Sequence, residues 1–107
     1  MEYFRDLFTP KTKRVAYPVR SFADSFNSDT NQTVKLFEEY TVMGIDLFIH
    51  NLSITSISVV IYTTDDRRIS ATVRGGDTFF FSDIPFHTVT VTATTQSYEL
   101  HVAGVYT

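Results

Sequence analysis

The 107-residue sequence contains no cysteine and no tryptophan, and only four of its residues are glycine. The absence of cysteine excludes disulfide frameworks, cysteine-based zinc sites and cysteine nucleophiles, so a single hydrophobic core must stabilise the fold. Four glycines are too few to supply phosphate-binding loops as well as tight turns. The densest apolar stretch, residues 59–62, is far shorter than the ~20 residues that a membrane-spanning helix needs. We therefore expect no membrane partner.

Charge is unevenly distributed along the chain. The formal net charge of −3 argues against nucleic acid as a partner. Residues 1–20 carry five basic and two acidic side chains, a net charge of +3, whereas residues 21–107 carry four basic and ten acidic ones, a net charge of −6. The sequence therefore predicts a basic N-terminal segment attached to an acidic body.

The N-terminal segment is also rich in aromatic residues and shows no sustained helix or strand period. Pro10 and Pro18 push the residues before them toward extended conformations. Four aromatic side chains in twenty residues favour a docked segment over a solvated tail. We predict that residues 1–20 form an extended arm, and that residues 21–32 form a polar linker to the body. The interface side chains expected in the arm are Tyr3, Phe4, Leu7, Phe8, Lys11, Lys13, Arg14 and Tyr17.

Hydrophobic and polar residues alternate from residue 33 onward. The period is two in each apolar segment, as in the series Ile45, Leu47 and Ile49, which we expect to face the core. Gly75-Gly76 and other turn sequences separate these segments. Short alternating strands with turns every 8–12 residues indicate an all-β fold, an antiparallel β-sandwich or small barrel, over residues 33–107. We interpret residues 34–43 as a strand, with a helical alternative at residues 36–40.

Three bulky aromatic residues occupy positions that the alternation assigns to solvent: Phe48, Tyr62 and Phe80. In residues 79–81 two phenylalanines point one way and Phe80 the other, so a one-sided core cannot bury all three. We expect these three residues to be covered by the arm or by a partner chain. The sequence therefore predicts a self-associating protein.

No group of residues has the spacing of a catalytic or metal site. Asp65-Asp66 is interpreted as turn chemistry rather than a pair of catalytic carboxylates. His50, His87 and His101 lack the spacing that brings two imidazoles to one metal, although three strands could still bring them to an ion on a symmetry axis. No serine lies in a Gly-x-Ser-x-Gly turn. We predict that the protein is not an enzyme and has no cofactor or resident metal.

Residues 75–104 contain an ordered series of turns and strands. A Gly-acid turn at residues 75–77 precedes a strand with three phenylalanines, and a Val-x-Val strand follows at residues 89–91. A hydroxyl-rich hairpin at residues 94–97 then leads to a final strand that ends in Ala103-Gly104. This series resembles the closing strands of small all-β virion proteins of tailed bacteriophages, which include head-decoration, head-fibre and tail-accessory components.

The resemblance implies a structural protein of the virion, synthesised in the host cytoplasm, that assembles into trimers or rings. It also implies a larger second partner, such as the major capsid protein or a tail protein, and it carries over no catalytic residue. The alternative is a host-facing module that binds a glycan or a receptor. That alternative needs exposed aromatic residues beside Asn, Asp or Gln on loops, whereas the aromatic residues singled out here lie on strands or in the arm.

Overall fold

The computed structural model describes residues 21–82 and 84–107, which form an antiparallel β fold. Its strands are β1 (Ser21–Ser25), β2 (Gln32–Lys35), β3 (Val42–Asn51), β4 (Ile57–Thr63), β5 (Arg68–Val73), β6 (Thr78–Phe81), β7 (Phe86–Thr92) and β8 (Tyr98–Tyr106). The predicted all-β class is confirmed. Within the described ranges, no helix has the length and apolar character required to cross a membrane.

The eight strands form one sheet that bends into two four-stranded halves. The order is β1-β8-β3-β7-β4-β5, with β6 beside β3 and β2 beside β7. Strands β3 and β7 pair at a single position, Gly44 opposite Phe86. A Cβ on Gly44 would lie 2.3 Å from the Phe86 ring, so this close approach requires glycine. We call β1-β8-β3-β6 the β3 half and β2-β7-β4-β5 the β7 half.

The core lies between the two halves, because each half buries one set of alternating side chains. Eighteen hydrophobic residues are buried in one cluster: Phe22, Val34, Leu36, Val42, Leu47, Ile49, Ile57, Val59, Ile61, Val73, Phe81, Phe86, Val89, Val91, Ala93, Tyr98, Leu100 and Val102. The other set faces outward on each half, and these outward positions provide the candidate functional surface.

The N-terminal boundary of the fold differs from the sequence prediction. Residues 21–25, interpreted as part of the polar linker 21–32, form β1 and pair with β8 from Ser21 opposite Val105 to Ser25 opposite His101. Only Phe22 of this strand is buried. A single inward apolar residue gives no detectable alternation, so the linker interpretation was wrong for these five residues, which belong to the sheet.

Two further departures lie between residues 34 and 46. The strand predicted for residues 34–43 is interrupted by a π-helical turn, Leu36–Tyr40, which ends at Thr41 in the left-handed region with φ of 59°. Within β3, the pairing with β8 shifts register between Gly44 and Asp46. This bulge puts Ile45 out of phase, so Ile45 is only partly buried while the later inward residues of β3 are fully buried.

Candidate functional site

An aromatic cluster lies on the outward face of the β3 half. Phe48 and Phe80 are opposite each other on β3 and β6, and their ring centroids are 4.8 Å apart. On the other side of β3, His101 pairs with Phe48, with ring centroids 5.8 Å apart. Phe80 remains 72% exposed. We call Phe48, Phe80 and His101 the outer aromatic cluster.

The cluster belongs to a row of outward residues that crosses all four strands of the β3 half. Ser25 pairs with His101, His101 with Phe48, and Phe48 with Phe80. Because neighbouring strands lie about 4.8 Å apart, this row is ~14 Å long. It begins with a hydroxyl at the β1 edge and ends with an exposed phenyl ring at the β6 edge. The surface is therefore polar at one end and apolar at the other.

Small side chains beside this row create a groove. Ala23 pairs with Ala103, and Ala103 pairs with Asp46, so the outward positions next to the bulky row leave space. The groove has a volume of about 670 Å³, within the 300–1,000 Å³ typical of ligand sites. The described residues that line it are Ala23, Asp24, Ser25, Asp46, Leu47, Phe48, Phe80, Phe81, Ser82, His101, Val102 and Ala103.

The described lining of the groove is acidic. Among its described lining residues, Asp46 has its carboxylate on the outward face and no lysine or arginine is present. Asp24 lies opposite the buried Val102, on the strand face of Phe22 rather than that of Ser25. Partial burial raises the pKa of Asp46, because the charged form loses hydration. His101 is held by Ser25, with 2.7 Å between Oγ and Nδ1, and its Nε2 lies 3.6 Å from Glu99 Oε1. The groove therefore combines aromatic surface with negative charge, which suits a ligand that is both apolar and basic.

A hydrolytic triad combines a serine, a histidine and a carboxylate, which are the residue types of Ser25, His101 and Glu99. Their geometry, however, differs from that of a triad in two respects. The 3.6 Å between His101 and Glu99 is longer than a hydrogen bond, so the carboxylate does not orient the ring. The Ser25 amide donates to Asp24 Oδ1 at 2.8 Å rather than pointing toward a developing oxyanion. The arrangement orders the end of β1 against β8 and lacks an evident oxyanion site.

The three outward aromatic residues predicted from the sequence do not share one surface. Phe48 and Phe80 lie together on the β3 half, whereas Tyr62 lies on β4 in the β7 half. The ring of Tyr62 stacks on His87 of β7, with centroids 6.5 Å apart and an interplanar angle of 27°. The three outward aromatic residues therefore belong to two separate ring groups.

The predicted arm lies outside the described residues, and so do its interface residues Tyr3, Phe4, Leu7, Phe8, Lys11, Lys13, Arg14 and Tyr17.

Asp65 lies in the turn after β4, as the sequence predicted. Arg67 donates to its Oδ2 from Nε at 3.0 Å, and Nη2 of Arg67 lies 2.9 Å from the same oxygen. These hydrogen bonds lower the pKa of Asp65. Among residues 21–82 and 84–107, no group of three or more His, Asp or Glu side chains could hold a metal ion.

The sequence analysis missed the groove, although it identified both phenylalanines. The positions of Asp24 and His101 relative to the phenylalanines depend on the pairing of β1 with β8 and of β3 with β8. Asp46 and Phe48 are two residues apart on β3, so the alternation alone places them on one face. Asp24 and His101 lie on other strands, and because β1 was interpreted as a linker, no sequence period brings them to Asp46. The charge contrast between the N-terminal segment and the body was the one available signal.

Comparison with known proteins identifies a distant likeness in structure alone. No protein-family model matches the sequence, and the curated proteins contain no match to it. A domain of CENP-C from Drosophila melanogaster matches 87% of this chain at 12% identity and a TM-score of 0.44. A mutant of the oxalate decarboxylase OxdC from Bacillus subtilis matches 87% at 14% identity and a TM-score of 0.39. The matched region spans 62% of the first chain and 31% of the second. With TM-scores below 0.5, these likenesses carry no argument about function.

Proposed function

We propose that this protein is a non-enzymatic structural component that assembles through the outer aromatic cluster and the N-terminal arm. The observation that carries the proposal is the Phe48–Phe80 ring pair, with centroids 4.8 Å apart and Phe80 72% exposed. Burying a phenylalanine side chain stabilises by roughly 1.5–3 kcal/mol. An exposed ring supported by a second ring therefore favours contact with another protein surface.

The assembly that we propose is the virion of a tailed bacteriophage. Support comes from the sequence resemblance of residues 75–104, a range that contains β6, β7 and most of β8. Phe80 and His101, two of the three residues of the outer aromatic cluster, lie within that range. The proposed partners are further copies of this chain and a larger capsid or tail protein.

The test is the mass of the purified full-length protein in solution, measured by light scattering during size exclusion. We expect a discrete oligomer at tens of micromolar, and a monomer at that concentration would contradict self-assembly. Peptide mass spectrometry of purified particles of the encoding phage tests the virion assignment, because a structural component must remain in washed particles. Hydrolysis of a p-nitrophenyl ester that disappears in Ser25→Ala would contradict the non-enzymatic role.

One observation favours a second candidate, a glycan-binding module. Asp46 lines the same groove as Phe48 and Phe80, so a carboxylate that accepts hydrogen bonds from sugar hydroxyls lies near rings on which a sugar can stack. This candidate predicts a monomer that binds free oligosaccharides, with binding lost in both Phe80→Ala and Asp46→Asn. A glycan array probed with the full-length protein and these variants distinguishes it from protein assembly.

A further inference from the structure

We propose that the groove of the β3 half binds the N-terminal arm, residues 1–20, of a second copy of this chain. This inference rests on the proposed assembly function and names the contact through which copies join. It makes the contact head-to-tail, because one copy contributes its arm and the next contributes its groove. Repeated contacts of this kind close into a ring when the rotation between copies permits closure.

Charge complementarity is the first argument for this occupant. The arm carries five basic and two acidic side chains, whereas the described part of the groove is lined by the outward carboxylate of Asp46 and by no lysine or arginine. Glu99, close to His101, adds a second outward carboxylate near the groove. An acidic body attracts the basic arm of another copy at long range, and this attraction speeds association.

Apolar complementarity is the second argument. The first eight residues of the arm contain Tyr3, Phe4, Leu7 and Phe8, and the groove offers an exposed phenyl ring at its β6 edge. A volume of about 670 Å³ accepts a few side chains rather than twenty residues. We therefore assign the groove to the aromatic start of the arm, and the remaining residues to the span between copies.

The length of the arm allows it to reach a neighbouring copy, as the proposed assembly requires. The arm joins β1 at Ser21, and the groove is lined by residues 23–25 of the same strand. Twenty extended residues span up to ~66 Å, which is long enough to reach an adjacent subunit.

The experiment uses full-length protein, and the absence of native cysteine makes single-site labelling straightforward. A spin label is attached to an Asp6→Cys variant without ¹⁵N, and this protein is mixed with unlabelled ¹⁵N chains that retain the natural sequence. We expect amide signals of the groove, including Ser25, Phe48 and Ser82, to broaden in the ¹⁵N chains. A spin label at the exposed Ser70, on β5 of the β7 half, is the control and leaves these groove signals unbroadened.

Matched substitutions in the ¹⁵N chain test the groove itself. Phe80→Ala removes the exposed ring of the groove, and we expect it to weaken binding of the arm about ten- to a hundredfold and abolish the broadening. Ile54→Ala removes an apolar side chain that is 93% exposed and is not a described lining residue of the groove, so binding should be unchanged. Equal effects of the two substitutions would overturn the assignment of the groove.

The outcomes separate this inference from the proposed function. Broadening that occurs only when label and ¹⁵N are on the same chain means that the arm occupies its own groove, and it overturns the inference. A discrete oligomer without broadening at the groove also overturns it, but leaves the proposed assembly function intact. A monomer without broadening contradicts both.

Discussion

Asn51 provides the sharpest test of how the β6 edge is positioned. Its side chain is fully buried at the end of β3, where Nδ2 donates to the carbonyl oxygens of Thr55 at 2.7 Å and Val73 at 3.0 Å. Its Oδ1 accepts from the Ser53 amide at 3.0 Å and from the Ser53 hydroxyl at 2.8 Å. The backbone of Asn51 also donates to Asp77 at 3.0 Å, just before β6. The same residue therefore orders the β3–β4 loop and the entry to the strand that carries Phe80.

The expected loss in Asn51→Ala follows from these four side-chain hydrogen bonds. The bond to Val73 is the buried one, and leaving its carbonyl unpaired costs roughly 1–3 kcal/mol. The other three bonds are partly buried, so water replaces them at a smaller loss, near ~0.5 kcal/mol each. We expect the free energy of unfolding to fall by about 3 kcal/mol, a large fraction of the ~5–15 kcal/mol typical of a domain.

Urea denaturation of the full-length protein, followed by circular dichroism, measures this loss. Asn31→Ala is the matched control, because Asn31 is exposed and its Oδ1 accepts one bond, from the Ala93 amide at 2.7 Å. The control should lose about 1 kcal/mol. If Asn51→Ala destabilises the protein no more than Asn31→Ala does, the buried network is not a major source of stability and the reasoning fails.

Two other predictions concern charge. The hydrogen bonds from Arg67 hold the pKa of Asp65 below its ordinary value of 3.8, so their contribution to stability is present above that pH and is lost as pH falls through the folded-state pKa. An NMR titration should place the midpoint of Asp65 below 3.8, and Arg67→Ala should raise it; an unchanged midpoint would contradict the ion pair. In the arm, alanine at Phe4 and Phe8 should weaken assembly more than alanine at the basic residues, because buried aromatic side chains outweigh exposed ion pairs of ~0–1 kcal/mol. The basic residues replaced are Lys11, Lys13 and Arg14. Assembly of both variants and of the unchanged protein is measured at increasing salt concentration. A steep fall in assembly with salt, together with phenylalanine variants that assemble normally, would refute this prediction.

The strands were predictable wherever alternation places several apolar residues on one buried face. Ile57, Val59 and Ile61 of β4 are such a series, and all three are buried. In β1 only Phe22 is buried, so its strand conformation depends on hydrogen bonds to β8 rather than on a local pattern. The bulge near Ile45 was likewise invisible, since an inserted residue is defined by the partner strand that it faces.

The candidate site was predictable only in its aromatic part, because bulky residues at solvent positions are visible in the sequence. The sequence indicated that Phe48 and Phe80 needed a partner surface, but strand order decides that they touch each other while Tyr62 lies on the other half. Predicting the acidic residues of the groove requires knowing which strands are neighbours in the sheet. Asp24 and Asp46 are twenty-two residues apart in the chain, and both line the groove because β1 and β3 flank the same strand, β8.

Strand β6 has a core residue and an exposed residue at adjacent positions. Phe81 is 8% exposed, belongs to the core cluster and contacts Phe86 edge-on at 5.9 Å between ring centroids. Phe80, one residue earlier, is 72% exposed and contacts Phe48 on the outward face. Because successive side chains of a strand point to opposite faces, a change at one position need not disturb the packing of the other. The exposed ring of Phe80 is therefore not needed to fill the core. This is the physical reason for our proposal that it contacts another chain.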